Sequence, residues 1–153
     1  MKIILVFTGK TAEKYIREGI DIYTDRLRHY IPVEIRIAEI PGKKRRSRKG
    51  SLNMAEPVSQ PGSSLLVLLD EKGKKLNSVE FSKFIESAMT SGYKELVFYT
   101  GGAWGFPEKT FDKVDRIISL SDMTFTHQMV RLILVEQIYR AMTIIRGEPY
   151  HHQ

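Results

Sequence analysis

Three short runs of consecutive apolar residues constrain this chain more than any other feature. Ile3-Ile4-Leu5-Val6-Phe7, Leu65-Leu66-Val67-Leu68-Leu69 and Leu96-Val97-Phe98-Tyr99 contain no charged member. Runs of this length are too short for a buried helix, and without alternation they cannot be strands with one wet face. They read as strands covered on both sides, the kind found in parallel sheets packed between helices. An antiparallel sandwich would show alternation and tight hairpin signals, which these segments lack.

The intervening segments have helical spacing. From Thr11 to about Tyr30, the residues Ala12, Tyr15, Ile16, Gly19, Tyr23, Leu27 and Tyr30 recur on one helical face, with Thr11 as N-cap. Val33, Ile35 and Ile37 alternate with Glu34 and Arg36, a strand with one polar face. The second apolar run ends at Asp70. A helix over Ser78–Thr90 follows, opened by a capping box of Asn77 and Glu80 and stopped at Gly92. A strand over Glu95–Tyr99 runs into Gly101-Gly102-Ala103-Trp104-Gly105, and Pro107 opens a short helix as its first residue. A strand over Arg116–Leu120 and a helix over about Thr126–Ile145 complete the chain. That last helix is apolar nearly all round, which predicts burial on more than one side and hence a partner subunit. With no internal repeat, residues 1–153 form one α/β domain with a largely parallel sheet.

Charge is unevenly spread. The 24 Lys and Arg exceed the 18 Asp and Glu by six, and six basic residues lie between Lys43 and Lys49. The whole excess therefore sits in one heptapeptide within a loop of about residues 42–64, rich in Pro and Ser. It is either a solvated loop or an arm that contacts phosphates. No apolar run is long enough to cross a membrane. The chain has no cysteine, which excludes disulfides and thiolate metal sites and points to a reducing cytoplasm. Metal catalysis has no ligand set either: His127 is followed at i+4 by Arg131, and His151 and His152 end the chain.

Ligands of parallel sheets bind beyond the carboxyl ends of the strands. That rule selects the loops after Leu69, after Thr100 and after Leu120. The glycine pair Gly101-Gly102 has neither dinucleotide nor P-loop spacing, so by itself it reads first as a tight turn, with a ligand cradle as the alternative. At the far end, Arg140, Arg146, Tyr150 and His151 combine cations with an aromatic ring, which can hold phosphate and stack on a base; a frayed tail is the alternative.

The run from Leu120 through Phe125, His127, Arg131 and Glu136 to Arg140, closed by Ile145-Arg146-Gly147-Glu148-Pro149-Tyr150-His151, resembles the ribosomal large-subunit methyltransferase H family of the SPOUT superfamily. Lys2–Gly9, Leu69 to Gly73 and Gly101-Gly102 extend the resemblance over most of the chain. It implies a SPOUT-type sheet with helices on both faces, a C-terminal trefoil knot and a homodimer. It further implies S-adenosyl-L-methionine held by Leu69, Gly101, Leu120, Ser121, Asp122, Met123, Thr124 and Phe125. The implied reaction is methyl transfer to N3 of a pseudouridine in helix 69 of large-subunit rRNA, on the ribosome and without a metal. Arg131, Arg140, Tyr150 and His151 are then the candidates for holding the RNA and its ionised base, with His127 assisting. The chain departs from the family at Thr126, where Pro is usual, at Ala103-Trp104-Gly105, where Ser-x-Gly is usual, and in its basic central segment. An RNA-binding protein of this fold without catalysis, or with another target, is the alternative. A nucleotide-binding enzyme of ordinary doubly wound topology is a further one.

Overall fold

A computed structural model describes residues 1–38 and 62–152. The elements follow in the order β1 (Lys2–Thr8), α1 (Lys14–Leu27), β2 (Val33–Ala38), β3 (Ser64–Lys75), α2 (Ser78–Thr90), β4 (Glu95–Thr100), α3 (Glu108–Phe111), β5 (Arg116–Ser119) and α4 (Met129–Ile145). The five strands form one sheet in the order β2-β1-β4-β3-β5, and every neighbouring pair is parallel. The three apolar runs are β1, β3 and β4, adjacent at the centre, which is why none of them has a polar face. At the edge, β2 turns Glu34 outward to Lys2 and Arg36 at 2.7 and 2.6 Å. Those two contacts, Arg36 first, hold the Glu34 carboxyl down to a pKa of about 2.

Alternate residues of the central strands feed two cores. Ile3, Leu5, Phe7, Val67, Leu96 and Phe98 pack with Ile16, Ile20, Phe81, Ile85, Leu134 and Ile138 from α1, α2 and α4. Ile4, Val6, Leu68, Val97 and Tyr99 face the other way, toward Phe106, Phe111 and Val114 around α3. Helices therefore cover both faces. Because α4 lies against the sheet, α1 and α2, most of its apolar girth is used within the chain. Val130, Ile133 and Ile144 stay half-buried. The all-round apolar pattern thus reflects three neighbours inside the chain and does not by itself require a second subunit.

Boundaries moved where side chains found other work. Helix α1 starts at Lys14, three residues after the expected Thr11 cap, because the Thr11 hydroxyl accepts from Arg131 at 2.9 Å instead. The Asn77–Glu80 capping box is present in both directions. Pro107 is the N-cap of α3 and not its first residue. Strand β3 continues five residues past Asp70. Its partner β5 pairs Ile118 with both Leu69 and Lys74, a register shift that apolar periodicity cannot reveal. The basic block Lys43–Lys49 lies outside the described residues.

Candidate cofactor cleft and aromatic–arginine cluster

The sheet register brings the three loops chosen by the strand-end rule to one level. Leu69 pairs with Thr100 and with Ile118, so Asp70, Gly101 and Ser119 lie at one level, and β3 continues from there to Lys75, which pairs with Ser119. A cleft of about 310 Å³ opens there, lined by Lys75, Leu76, Asn77, Glu80, Ser119, Leu120, Ser121 and Asp122. Leu120, Ser121 and Asp122, which the resemblance implies for the cofactor, are among the residues that line it. Leu69 is buried in β3 behind them, and Gly101 is the first residue beyond β4. Met123 and Thr124 are exposed, and Phe125 is half-buried on the way to α4. The loop is shaped locally: Ser119 donates to the Ser121 carbonyl at 2.9 Å, and the Ser121 hydroxyl accepts from the Met123 amide at 2.8 Å.

Sequence reading missed the opposite wall, Lys75 to Glu80, because it ended β3 at Asp70. Lys75 forms an ion pair with Asp122 across the cleft. Gly73 makes this closeness possible. A Cβ there would lie 2.5 Å from the Ile118 carbonyl carbon and 2.6 Å from its nitrogen, so only glycine lets β3 pass so near β5. The backbone signal was the lone glycine in a charged stretch.

The cleft suits an adenosyl sulfonium ligand in size and chemistry, since ligand pockets start at roughly 300 Å³. Leu76 and Leu120 offer apolar walls, Ser and Asn offer hydroxyl and amide groups, and Glu80 and Asp122 offer acceptors for positive charge. Beside it, the Thr100 hydroxyl is buried with no hydrogen-bond partner. Among the described residues no group of three His, Asp or Glu could hold a metal.

The four residues singled out for RNA do not share one place. Arg131 is fully buried, the largest such side chain. Its guanidinium donates to the Thr8 carbonyl at 2.7 Å and to Thr11, and lies 5.2 Å from the Phe7 ring centroid. Burial lowers its pKa, Nε has no partner, and no carboxylate pairs with it among the described residues. The expectation that Arg131 holds RNA is corrected: it cannot touch a macromolecule, and instead ties α4 to the end of β1.

Arg140, Tyr150 and His151 do come together, and the tail is docked and not frayed. Glu136 accepts from Arg140 Nε at 3.1 Å and Nη2 at 2.7 Å, and from the Tyr150 hydroxyl at 3.1 Å. The carboxylate raises the Arg140 pKa. The Arg140 guanidinium sits 4.9 Å from the Tyr150 ring, which packs edge-on against Tyr139, also at 4.9 Å. Burial is the main cause of the raised Tyr150 pKa, so that phenol stays protonated. Arg140 Nη1 lies 3.4 Å from His151 Nδ1. Arginine only donates, so this contact needs an unprotonated Nδ1 and leaves the Nε2 proton as the other donor. Tyr30 donates to Glu148 at 2.5 Å, and Arg146 donates to the His29 carbonyl at 3.2 Å, pinning the tail to the end of α1.

That docking leaves the cluster's anchor connected to α2: Gln137 donates to Glu136 at 2.7 Å and accepts from the Ser78 hydroxyl at 2.9 Å, one residue from cleft-lining Asn77. Gln128, just before α4, bonds to the Lys10 carbonyl and the Ala12 amide at the carboxyl end of β1. Arg146, just after α4, reaches His29, next to the turn that feeds the amino end of β2. Met129 and Arg140 are thus separated by about 16 Å along the helix axis.

The family model described as "Predicted SPOUT methyltransferase" matches residues 1–151, and the chain belongs to that family. Relatives named ribosomal RNA large subunit methyltransferase H are similar over their full length. The Parabacteroides distasonis protein is 46% identical over 160 residues, covering 100% of both chains. The Geobacter metallireducens protein is 45% identical over 160 residues, covering 99% of each, and that of Christiangramia forsetii is 45% identical over 162, covering 100% of both.

Proposed function

We propose that this chain is a ribosomal RNA methyltransferase that methylates N3 of a pseudouridine in helix 69 of the large subunit. The cleft between the ends of β3 and β5, in a chain of this family with full-length methyltransferase relatives, carries the reading. S-adenosyl-L-methionine supplies an electrophilic methyl group when bound. Leu69, Gly101 and Leu120–Phe125 would hold it, with Leu76, Asn77 and Glu80 forming the opposite wall. Transfer to a deprotonated ring nitrogen needs alignment and charge more than covalent chemistry. Arg140 and Tyr150, fixed by Glu136, and His151 would hold the RNA and stabilise the ionised base. Arg131 acts as a positioning residue for the loop that leads into α4.

A homodimer would let the tail of one copy serve the cleft of the other. Tyr15 and Ile22, exposed on one face of α1, add apolar surface for a partner. Gly73 against the Ile117–Ile118 backbone and the register shift in β3 support the trefoil knot. No described helix is long and apolar enough to cross a membrane; action on ribosomes would place the protein in the cytoplasm. The test is transfer of labelled methyl from S-adenosyl-L-methionine to large ribosomal subunits lacking the modification, with the labelled base mapped. Label at another nucleotide corrects the target; no label in RNA refutes the activity.

A further inference from the structure

Trp104 is the chain's single tryptophan, and it is 99% exposed. It sits at the tip of the loop between β4 and α3, and that loop is held firmly. The Gly105 amide donates to the Gly102 carbonyl at 3.0 Å, closing a four-residue turn with Ala103 and Trp104 at its centre. Gly105 takes φ +69°, a left-handed conformation that suits glycine. The base of the turn is filled: a Cβ on Gly101 would meet Gly105 Cα and the Phe106 ring at 3.2 Å, and one on Gly102 would meet the Thr8 side chain at 3.4 Å. An ordered turn thus presents a large ring to water at the carboxyl edge of the sheet.

We infer that Trp104 is a stacking platform for an unpaired base of the substrate RNA, next to the nucleotide being methylated. This rests on the activity proposed above and adds a specificity-determining residue to it. Position is the first argument. The loop begins at Gly101, directly after Thr100, which pairs with Leu69 of β3, so it lies on the same carboxyl edge as the cleft. Isolation is the second. A protein partner's anchor residue is normally ringed by other apolar side chains. Here the turn itself offers only Ala103 and glycines beside the ring. One bare ring matches a nucleobase, whose whole contact is one π-face. Single-stranded RNA segments are read in this way, by stacking on aromatic side chains. Exposed Lys10, following β1, with Lys109 and Lys113 at α3, outnumber the exposed carboxylates Glu108 and Asp112 of the same segment and favour a polyanion.

The test compares W104A and W104F with the wild type, using large ribosomal subunits that lack the modification. Both variants should be folded, because the side chain touches nothing that holds the fold. S-adenosyl-L-methionine affinity, measured by calorimetry, should be unchanged in both. W104A should raise KM for the subunits about tenfold, within the range for loss of one base–aromatic stack, with kcat near wild type. W104F, which keeps a π-face, should recover most of that loss. An unchanged KM in W104A overturns the inference, and so does equal impairment of the two variants. In the wild type without RNA, tryptophan emission should match a fully solvated indole at all concentrations. Emission that shifts to the blue as protein concentration rises would mean that a second copy covers Trp104, which also overturns it. If wild-type protein transfers no methyl group, the activity itself fails, whereas normal transfer with a W104A KM at the wild-type value rejects only the stacking.

Discussion

Replacing Gly73 by alanine should damage fold and site together, because the space for one methyl group is taken by main chain. The added Cβ would stand 2.5 Å from the Ile118 carbonyl carbon, 2.6 Å from the Ile118 nitrogen and 2.7 Å from the Ile117 carbonyl carbon. Ordinary carbon contacts begin near 3.4 Å, so β3 and β5 must part by about 1 Å. No side-chain rotamer can absorb that movement. Overpacking a tight interior costs about 1–3 kcal/mol, and rigid backbone neighbours place this change near 3. For a chain of this size that lowers Tm by roughly 6–12 °C. Parting the strands also shifts Ser119–Asp122 away from Lys75–Asn77, the two walls of the cleft. Gly92→Ala is the control. Gly92 has φ +82° and nothing within 4 Å of the added Cβ, so it should lose about 1–2 kcal/mol from backbone strain alone. Denaturant unfolding and calorimetry with S-adenosyl-L-methionine read both variants. Gly73→Ala should be less stable than Gly92→Ala and bind the cofactor at least tenfold more weakly. Equal stabilities, or wild-type cofactor affinity in Gly73→Ala, would refute the reasoning about this crossing.

Two further outcomes follow from charge. Replacing all six basic residues of the Lys43–Lys49 block with serine should flatten the salt dependence of RNA binding without changing the methylated base, because phosphate contacts add affinity and salt slope but no sequence information; an unchanged slope assigns the block to solvent. The hydrogen bond to Glu148 lifts the Tyr30 pKa from near 10 to about 12. A pKa raised on folding means stability that is complete below about pH 10 and lost as pH rises through about 12. Denaturant midpoints across that window should fall for the wild type and fall less for Tyr30→Phe, and parallel curves would deny the tail this anchor.

How far the sequence could be read depended on whether each residue's neighbours were local. The unbroken apolar runs identified β1, β3 and β4, since burial on both faces leaves a mark in the residues themselves. The Asn77–Glu80 box marked the start of α2 because a cap is a contact over three residues. Thr11 was misread because its hydroxyl is claimed by Arg131, 120 residues away. The same distant contact hid the burial of Arg131, because the partners that hold its guanidinium, Thr8 and Thr11, lie at the other end of the chain. The cleft wall at Lys75–Glu80 escaped notice for a related reason. Charged residues in Asp70–Lys75 end an apolar pattern, yet the strand continues by pairing with β5, and pairing partners are not written in hydropathy.

The position of the tail decides how many chains make one site. Within one chain, Met129 and Arg140 lie about 16 Å apart along the axis of α4, and the tail is fixed at the far end of that helix. Tyr139, Glu136, Tyr30 and His29 all hold the tail in place, so swinging it to its own cleft would break every one of those contacts. A second copy related by a two-fold axis brings its cleft to that tail at no such cost. Two different inactive variants should therefore restore activity when combined. Gly101→Val blocks one cofactor loop, since even a Cβ there meets Gly105 and Phe106 at 3.2 Å. A double replacement of Arg146 and Tyr150 disables the tail. Co-refolded in equal amounts, about half the dimers are mixed, and each has one intact site of two, giving roughly a quarter of wild-type activity. Either variant alone should be nearly inactive. If mixed dimers are verified by mass and remain as inactive as the parents, the tail serves its own subunit. A protein that stays monomeric at assay concentration yet transfers methyl groups would remove the need for a shared site altogether.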